Sequence, residues 1–319
     1  DKVYGEVNMY FDNIIGQDFA KKYLTNSIKK NKINHAYMFE GIDGIGKKKL
    51  SQELSKILLD TENVENSPDY INIYPDGNSI KIAQIRRLQT DIIVKPHNQY
   101  KIYIINQAES MTIEAQNALL KTLEEPPEYA IIILITSNKE ALLDTIKSRC
   151  EIIKFLPISL VDLNNYLISQ GIDENRAQLL STFARGSIEK AIELSESAEF
   201  AIMRDEIQTY IEIMLDKDMI DILEIPASME KYKKDAISIL DMLINYFRDM
   251  MLLKENVDKS MIINIDKITF LRNMSKKITY SQVSKIIDII EDVKKKIRSN
   301  CNFNISIQVM ALNIYEVIK

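Results

Sequence analysis

A short strand that runs directly into a glycine-rich turn and then a helix is the feature that most limits the fold of this chain. The apolar segment HAYMFE (35–40) leads straight into GIDGIGKKKL (41–50). The glycines and the first lysine of this turn have the spacing of a phosphate-binding loop, in which backbone N–H groups at a helix N-terminus bind phosphates. A tight turn that needs glycine only for steric reasons is the alternative, and the flanking strand and helix favour the phosphate loop. The residues that this prediction places at a nucleotide site are Gly41, Gly44, Gly46 and Lys47.

Four further apolar runs alternate with helical segments. The predicted strands are 70–74, 101–106, 130–136 and 151–155, and the predicted helices between them include 47–59, 82–93 and TIEAQNALLKTLEEPP (112–127). Thr112 can cap this last helix, and Pro126–Pro127 ends it. Continuous apolar strands that alternate with helices predict a parallel sheet covered by helices on both faces.

Only helical patterns follow Pro157. Three short segments come first, at 159–170, 174–184 and 187–197. Longer helices are predicted at 200–215, 229–254, about 280–298 and 304–318. The basic run DVKKKIRSN (292–300) is predicted to be a solvated helix face, with a nucleic-acid contact as the alternative. The predicted fold class is therefore α/β followed by all-α.

The magnesium ligands that ATP hydrolysis needs are missing from the glycine loop. Lys48 stands where a Ser or Thr hydroxyl would bind the ion, and an ammonium group cannot coordinate a cation. Asn106-Gln107 ends the third strand, where an acidic pair would hold the metal and polarise water. Glu109 is the next carboxylate, and we expect it to point elsewhere. Because both ligands of one metal are lost, the sequence predicts no useful ATP turnover.

Two nucleotide-related functions stay open at the sequence level. Thr136, Ser137 and Asn138 follow the fourth strand and could form a polar sensor of nucleotide, although ordinary turn residues explain them equally well. The loop could still hold ATP, ADP or phosphate through Lys47 and its backbone amides. In that case Lys48 could supply a fixed positive charge in place of the metal.

Composition limits the partners and the compartment. The net charge of −5 excludes a chain-wide basic field that would attract nucleic acid. Cys150 and Cys301 have no neighbour at metal-ligand spacing, which indicates a reduced, cytosolic protein. The sequence has no apolar run long enough for a membrane span and no signal-peptide pattern. Met9 is a candidate natural first residue, which leaves the origin of residues 1–8 open.

Several motifs together resemble the bacterial clamp-loader subunits of the AAA+ superfamily. They are DNIIGQ (12–17), HAYMFEGIDGIGK (35–47), SPDY (67–70), AQNALLKTLEEPP (115–127) and TIKSRC (145–150). The last two in combination are highly specific to clamp loaders. The resemblance covers about residues 10–200 by motif and the remainder by helical layout. Within this pattern, IIGQ resembles the segment beside the adenine of a bound nucleotide.

The resemblance implies an architecture and a set of partners. It implies a RecA-like AAA+ sheet domain (1–157) with a degenerate phosphate loop, a small helical lid domain (158–199) and a C-terminal helical collar domain (200–319). The implied assembly is the clamp loader of DNA polymerase III in the bacterial cytoplasm, with the ATPase (gamma/tau) and delta subunits as partners. Sliding clamp and primed DNA are reached through this complex, and no membrane is involved. The loss of the hydrolysis residues, together with the retained Ser-Arg-Cys motif, resembles the non-hydrolysing stator subunit of this assembly.

The resemblance implies that one arginine of a stator takes part in ATP hydrolysis by a neighbouring subunit. The arginine of its Ser-Arg-Cys motif projects into the ATP site of the neighbouring ATPase subunit, and it corresponds here to Arg149. A guanidinium group can stabilise the negative charge that spreads over the transferred phosphate. A surface arginine that caps the preceding helix through its carbonyls is the alternative.

The chain departs from the family pattern in two places. Clamp loaders of this type usually carry four zinc-binding cysteines after the first helix, but LLDTENVENSPDY (58–70) has none, so we expect no zinc and no required cofactor. The lid usually offers an arginine that senses nucleotide in the same chain. Here GSIEKA (186–191) has Glu189 near that position with Lys190 beside it, and a carboxylate would repel phosphates.

Other classes of protein remain as alternatives. An active AAA+ motor, either a gamma/tau-type clamp-loader ATPase or a branch-migration helicase, is disfavoured by Asn106 and Gln107. A small-molecule P-loop kinase would leave the long helical C-terminus unexplained. A helical scaffold with a relic loop differs from the stator mainly in whether Arg149 acts.

Overall fold

The computed structural model of the protein describes residues 10–216, 219–255 and 261–319. Met9 and residues 1–8, whose origin the sequence leaves open, lie outside the described residues. The described chain packs into two compact units. The first contains residues up to 166 together with 185–190, and the second contains 167–184 together with the residues from 191 onward. The domain boundaries at residues 157 and 199 remain a prediction.

A sheet of five parallel strands forms the centre of the first unit, in the order β2–β3–β4–β1–β5. The strands are β1 (Ala36–Glu40), β2 (Tyr70–Ile73), β3 (Lys101–Ile105), β4 (Ala130–Thr136) and β5 (Glu151–Lys154). Each agrees with its predicted range to within one residue at either end. Every residue of β4 is buried, as expected for a strand with both faces covered. The predicted parallel sheet is confirmed.

Helices cover this sheet, including the three predicted at 47–59, 82–93 and 112–127. They are α1 (Asp18–Lys29), α2 (Lys47–Leu59), α3 (Ile82–Asp91), α4 (Ile113–Glu124) and α5 (Asp144–Lys147). Thr112 caps α4 as predicted, because its Oγ1 accepts a hydrogen bond from Ala115 N (3.2 Å). Helix α3 ends two residues earlier than predicted, since the chain turns there through a hydrogen bond from Val94 N to Asp91 O (3.1 Å).

Alternate side chains of each strand enter two separate cores. Tyr37 and Phe39 of β1 pack with Leu50 and Leu54 of α2 on one face of the sheet. Met38, between them, points to the opposite face and packs in the core that α3 and α4 cover. This period of two residues buries both faces. The loops at the two ends of the strands carry the candidate site residues.

The remainder of the described chain is helical, so the predicted α/β-then-all-α class is confirmed. The helices are α6 (Leu160–Ser169), α7 (Glu174–Ala184), α8 (Ile188–Glu196), α9 (Ala198–Asp216), α10 (Met219–Leu223), α11 (Ile225–Met229), α12 (Ala236–Lys254), α13 (Ile268–Ser275), α14 (Tyr280–Arg298) and α15 (Phe303–Ile318). The predicted helix 229–254 is too long, because Glu230–Asp235 forms a 3-10 turn before α12. None of these six residues is buried, so the charged stretch has no apolar face that would hold it as an α-helix.

The basic run at the end of α14 is only partly a solvated face. Lys294 is buried, and its Nζ lies 2.6 Å from a carboxylate oxygen of Asp241 in α12 and 2.7 Å from one of Glu291. Lys296 is exposed and pairs with Asp292 one turn earlier (2.7 Å). The prediction of a solvated face is therefore wrong for Lys294, which joins two helices of the second unit.

Candidate functional site

The glycine loop joins β1 to α2 and packs closely against other segments of the first unit. A side chain at Gly41 would place Cβ 2.5 Å from the carbonyl oxygen of Phe155, and one at Gly44 would place it 2.8 Å from Cβ of Glu189. Gly44 also has a φ of +74°, which strains any residue with a side chain. Ile188 N donates a hydrogen bond to Gly44 O (2.8 Å), so the start of α8 lies against the loop.

Lys47, the first residue of α2, turns back onto its own loop. Its Nζ donates hydrogen bonds to the carbonyl oxygens of Gly41 and Ile42, the latter at 2.8 Å, and lies 3.4 Å from Oδ1 of Asp43. The side chain is 4% exposed. Burial lowers the pKa of Lys47, and the charge of Asp43 opposes this effect. The ammonium group predicted to bind phosphates therefore binds loop carbonyls in this structure.

Two carboxylates from other segments, those of Glu109 and Glu189, interact electrostatically with Lys47. Their negative charges raise the pKa of Lys47 and so favour its charged form. Oε1 of Glu109 accepts hydrogen bonds from Ser137 Oγ (2.6 Å) and Ser137 N (3.2 Å). Burial opposes the ionisation of Glu109, but several hydrogen bonds to its carboxylate, the first of them from the Ser137 side chain, hold the pKa below its usual value. The expectation that Glu109 points elsewhere is wrong. Gln107 has a φ of +50°, and this reversal brings Glu109 back toward β4.

The residues that replace the magnesium ligands make other contacts. Nζ of Lys48 lies 5.2 Å from the centroid of the Tyr74 ring, and a hydrogen bond with Tyr74 raises the pKa of Lys48. Asn106 is buried, and its Nδ2 donates to Ile73 O (3.3 Å). Gln107 is exposed. Lys48 is thus drawn toward the end of β2, and this geometry gives no support to the idea that it replaces the metal at the loop.

Thr136 ends β4 beside the glycine loop. Its carbonyl oxygen accepts a hydrogen bond from Gly41 N (3.2 Å), and its Oγ1 accepts one from Asn138 N (3.1 Å). Asn138 then caps the next turn by accepting from Glu140 N (3.2 Å). Thr136 and Asn138 therefore stabilise the turn, whereas Ser137 is linked to the loop region through Glu109. A sensor function for this segment stays a prediction.

The IIGQ segment also contacts the glycine loop. Nε2 of Gln17 donates to Ile45 O in the loop (3.1 Å) and to Leu156 O (2.7 Å), and its Oε1 accepts from Leu156 N (3.0 Å). One amide side chain thereby links the start of α1, the loop and the segment after β5. The IIGQ segment therefore lies against the glycine loop, and its place beside the adenine of a bound nucleotide stays a prediction.

Arg149 lies at the opposite end of the sheet from the glycine loop. β1 and β5 are parallel neighbours, with Tyr37 opposite Glu151. Gly41 follows the last residue of β1, whereas Arg149 precedes the first residue of β5. The paired strands between these ends span about 10 Å. The guanidinium group is therefore poorly placed for the loop of its own chain.

Two different elements hold the guanidinium group of Arg149. Its Nη1 donates to Thr145 O in α5 (2.9 Å), and its Nη2 lies 2.7 Å from Oε1 of Glu124 at the end of α4. Thr145 O is one of the last carbonyls of α5, so the helix-capping contact considered from the sequence is present. The side chain nevertheless remains 34% exposed.

Sequence reasoning missed two residues that support Arg149, Glu124 and the buried Gln116. Nε2 of Gln116 donates to Ala141 O (3.2 Å), and its Oε1 accepts from Leu143 N (2.9 Å). These bonds fasten α4 to the segment that leads into α5. A polar residue among the buried positions of α4 was the signal that could have identified Gln116. For Glu124, the signal was a carboxylate at a helix C-terminus, where cations are favoured.

Three further observations on the described ranges concern cysteine reactivity, metal ligands and apolar helices. Burial raises the pKa of Cys150 to about 12, so this thiol is not activated as a nucleophile. Across residues 10–216, 219–255 and 261–319, no three His, Cys, Asp or Glu side chains are grouped to hold a metal ion. None of the helices described in these ranges has the length and apolarity needed to cross a membrane.

Comparisons with known proteins agree along nearly the whole chain. The family described as DNA polymerase III, delta subunit, matches residues 16–159, and the family of its C-terminal part matches residues 198–314. The DNA polymerase III subunit delta' of Bacillus subtilis is 32% identical, over 94% of this chain and 96% of that protein. The tau subunit of B. subtilis is 28% identical, over 95% of this chain and 61% of that protein.

A solved structure is also similar to this chain. The gamma subunit-related protein of Thermotoga maritima matches with a TM-score of 0.46 and 20% identity, over 93% of this chain and 99% of that one. The sequence similarity at near-complete mutual coverage decides the family. This chain belongs to the family of DNA polymerase III delta-prime subunits of the clamp loader.

Proposed function

We propose that this chain is the stator of a DNA polymerase III clamp loader and helps to load the sliding clamp onto primed DNA during replication. The observation that carries the proposal is the 32% identity to a delta' subunit over almost the full length of both chains. The tau subunit is less similar, and this chain spans only 61% of its length. An active gamma/tau-type ATPase is therefore not the better assignment.

The partners follow from this assignment. The chain would assemble in the cytoplasm with the ATPase (gamma/tau) and delta subunits, and it would meet the sliding clamp and primed DNA through the complex. A net charge of −5 is consistent with DNA binding that depends on the assembly. The helical C-terminal region would serve as its collar segment.

The proposal includes no ATP turnover by this chain alone. Lys48 and Asn106 occupy the positions of two magnesium ligands, and their side chains contact Tyr74 and Ile73 O. A transition state in phosphoryl transfer needs the metal to neutralise charge on the phosphates. An ammonium group and an amide cannot bind the metal, so the chemical step loses this stabilisation.

No nucleotide is required at the glycine loop in this proposal. ATP, ADP or phosphate would have to displace Lys47 from the carbonyls of Gly41 and Ile42. Its phosphates would also approach Glu109 and Glu189, which both act on Lys47. Negative charges near the phosphates would disfavour their binding. Any nucleotide held by Gly41, Gly44, Gly46 and Lys47 should therefore bind weakly.

Arg149 is proposed to act on the ATP of a neighbouring subunit. Its place before β5, away from the loop of its own chain, supports action in trans. Its guanidinium group is partly exposed, so a subunit packed alongside could present phosphates to it. Arginine suits this task because its planar fork can bind two phosphate oxygens at once.

An ATPase assay in two steps tests the assignment. The isolated chain should hydrolyse ATP no faster than background, with or without magnesium, and Lys47→Ala should not change that rate. Mixed with purified gamma/tau and delta subunits, the chain should be needed for DNA-stimulated ATP turnover and clamp loading. Magnesium-dependent turnover by the isolated chain that Lys47→Ala abolishes would indicate an active ATPase. Clamp loading at full rate without the chain would reject the stator assignment.

We also expect purified protein to contain no stoichiometric zinc. The segment between α2 and β2, where related subunits would hold the ion, contains no cysteine. Structural zinc sites are usually built from four Cys or His ligands. Metal analysis by mass spectrometry after extensive dialysis measures this, with a zinc-binding gamma/tau subunit as the positive control. One zinc ion per chain would contradict the expectation.

A further inference from the structure

Arg149 and Glu124 form an ion pair between two elements of the first unit. Nη2 of Arg149 lies 2.7 Å from Oε1 of Glu124, and Nη1 donates to Thr145 O (2.9 Å). The Arg149 and Glu124 side chains are 34% and 49% exposed, so a neighbouring protein can reach both. Both Nη atoms of the guanidinium group are thus held by this unit, while part of the side chain stays exposed.

Glu124 occupies an unfavourable place for a carboxylate. It is the last residue of α4, where the negative end of the helix dipole favours cations. Pro126 and Pro127 follow closely and prevent the helix from continuing, so Glu124 stays at its C-terminus. Partly exposed ion pairs contribute little to folding stability. Stability alone therefore gives a weak reason for a carboxylate here.

The guanidinium group keeps donors that these contacts do not use. Arginine has five N–H groups in a planar fork. The bonds to Glu124 and Thr145 use one hydrogen on each Nη, and a second Nη1 contact to Ser148 Oγ is long at 3.4 Å. Nε–H and the second hydrogen of Nη2 remain, and they lie in the plane of the guanidinium group itself.

Building on the proposed action of Arg149 in trans, we propose that Glu124 is a positioning residue for this arginine. Glu124 holds the guanidinium plane so that its remaining donors meet the phosphates of a neighbouring subunit's ATP. A long side chain ordered before the subunits meet loses less freedom in the transition state. The carboxylate is suited to this because it forms a strong, charge-assisted hydrogen bond with a fixed direction.

Single-turnover ATP hydrolysis by the reconstituted complex tests this role. Arg149→Ala should slow hydrolysis at the ATP site beside this subunit, so that this site appears as a separate slow phase of the time course. We expect Glu124→Ala to slow the same phase by about three- to tenfold, since small errors in position cost large factors in rate. The double variant Glu124→Ala/Arg149→Ala should be no slower than Arg149→Ala. Glu124→Gln retains an oxygen acceptor and should recover part of the rate.

Glu125→Ala is the matched control, because Glu125 is the adjacent exposed carboxylate, and it should behave like the wild type. If Arg149→Ala slows the phase and Glu124→Ala does not, the positioning role is wrong while the arginine finger stands. If Glu124→Ala slows hydrolysis further in the Arg149→Ala background, Glu124 acts by another route and the inference is wrong. If Arg149→Ala hydrolyses at the wild-type rate, the finger and the inference both fail. Glu124→Gln carries the test if Glu124→Ala does not assemble.

Discussion

Replacement of Arg149 by alanine should leave the clamp loader assembled and slow ATP hydrolysis at the adjacent site by about 10³-fold. An arginine finger supplied in trans accelerates hydrolysis by about 10³–10⁵-fold in well-studied GTPases, because it stabilises the charge that spreads over the γ-phosphate. The rate of the whole complex should fall less, since its other ATP sites keep their own arginines. DNA-stimulated phosphate release and clamp loading by the reconstituted complex are the measurements.

Two companion variants make the result specific. Arg149→Lys should recover little activity, because a point charge lacks the planar fork that binds two oxygens. Arg86→Ala removes an exposed arginine of α3 and should behave like the wild type. An Arg149→Ala complex that assembles normally and loads clamps at the wild-type rate would reduce Arg149 to a surface residue.

The largest effect on stability is expected at Asp249 in α12. Its carboxylate is fully buried and accepts hydrogen bonds from Ile263 N (3.1 Å), Asn264 N (2.8 Å) and Asn264 Nδ2 (2.8 Å). Asp249→Ala leaves these buried donors unpaired, and each unpaired donor costs about 1–3 kcal/mol. The free energy of unfolding of the second unit should therefore fall by about 3–5 kcal/mol.

Urea unfolding and hydrogen exchange measure this change. The amides of Ile263 and Asn264 should exchange faster in Asp249→Ala, because their acceptor is gone. Asp292→Ala is the control in the same unit, since Asp292 lies on the surface and pairs with Lys296 (2.7 Å). Surface pairs of this kind contribute little, so its unfolding midpoint should not move. Unchanged exchange at Ile263 and Asn264 would show that the carboxylate is not what holds this segment.

Much of the fold follows from patterns within a few residues of each other. The strands, the helices around them and the Thr112 cap depend on local periodicity and on short-range hydrogen bonds. The loss of the magnesium ligands could likewise be inferred from the residue types at Lys48 and Asn106. The helix predicted at 229–254 was wrong at its start for a related reason, because its periodicity does not extend through the charged stretch Glu230–Asp235.

The side-chain contacts of the site could not be predicted from local pattern. Local pattern predicted a loop that could bind phosphate, but not that Lys47 would bind the loop's own carbonyls. It also placed Glu109 away from the site, although the turn at Gln107 returns it to Ser137. A single residue with positive φ redirects the chain here, and a non-glycine residue in that conformation is uncommon enough to escape prediction from residue type.

The sequence by itself determined the order of the strands and of most helices along the chain, the place of the glycine loop and the position of Arg149 before β5. Only the tertiary structure decided that Gly44 meets Glu189 and that Arg149 meets Glu124. Periodicity specifies which face of an element is buried, but it does not specify which distant element packs against that face. Stacking of the helices on the sheet sets those distances, and the chemistry of the site depends on them.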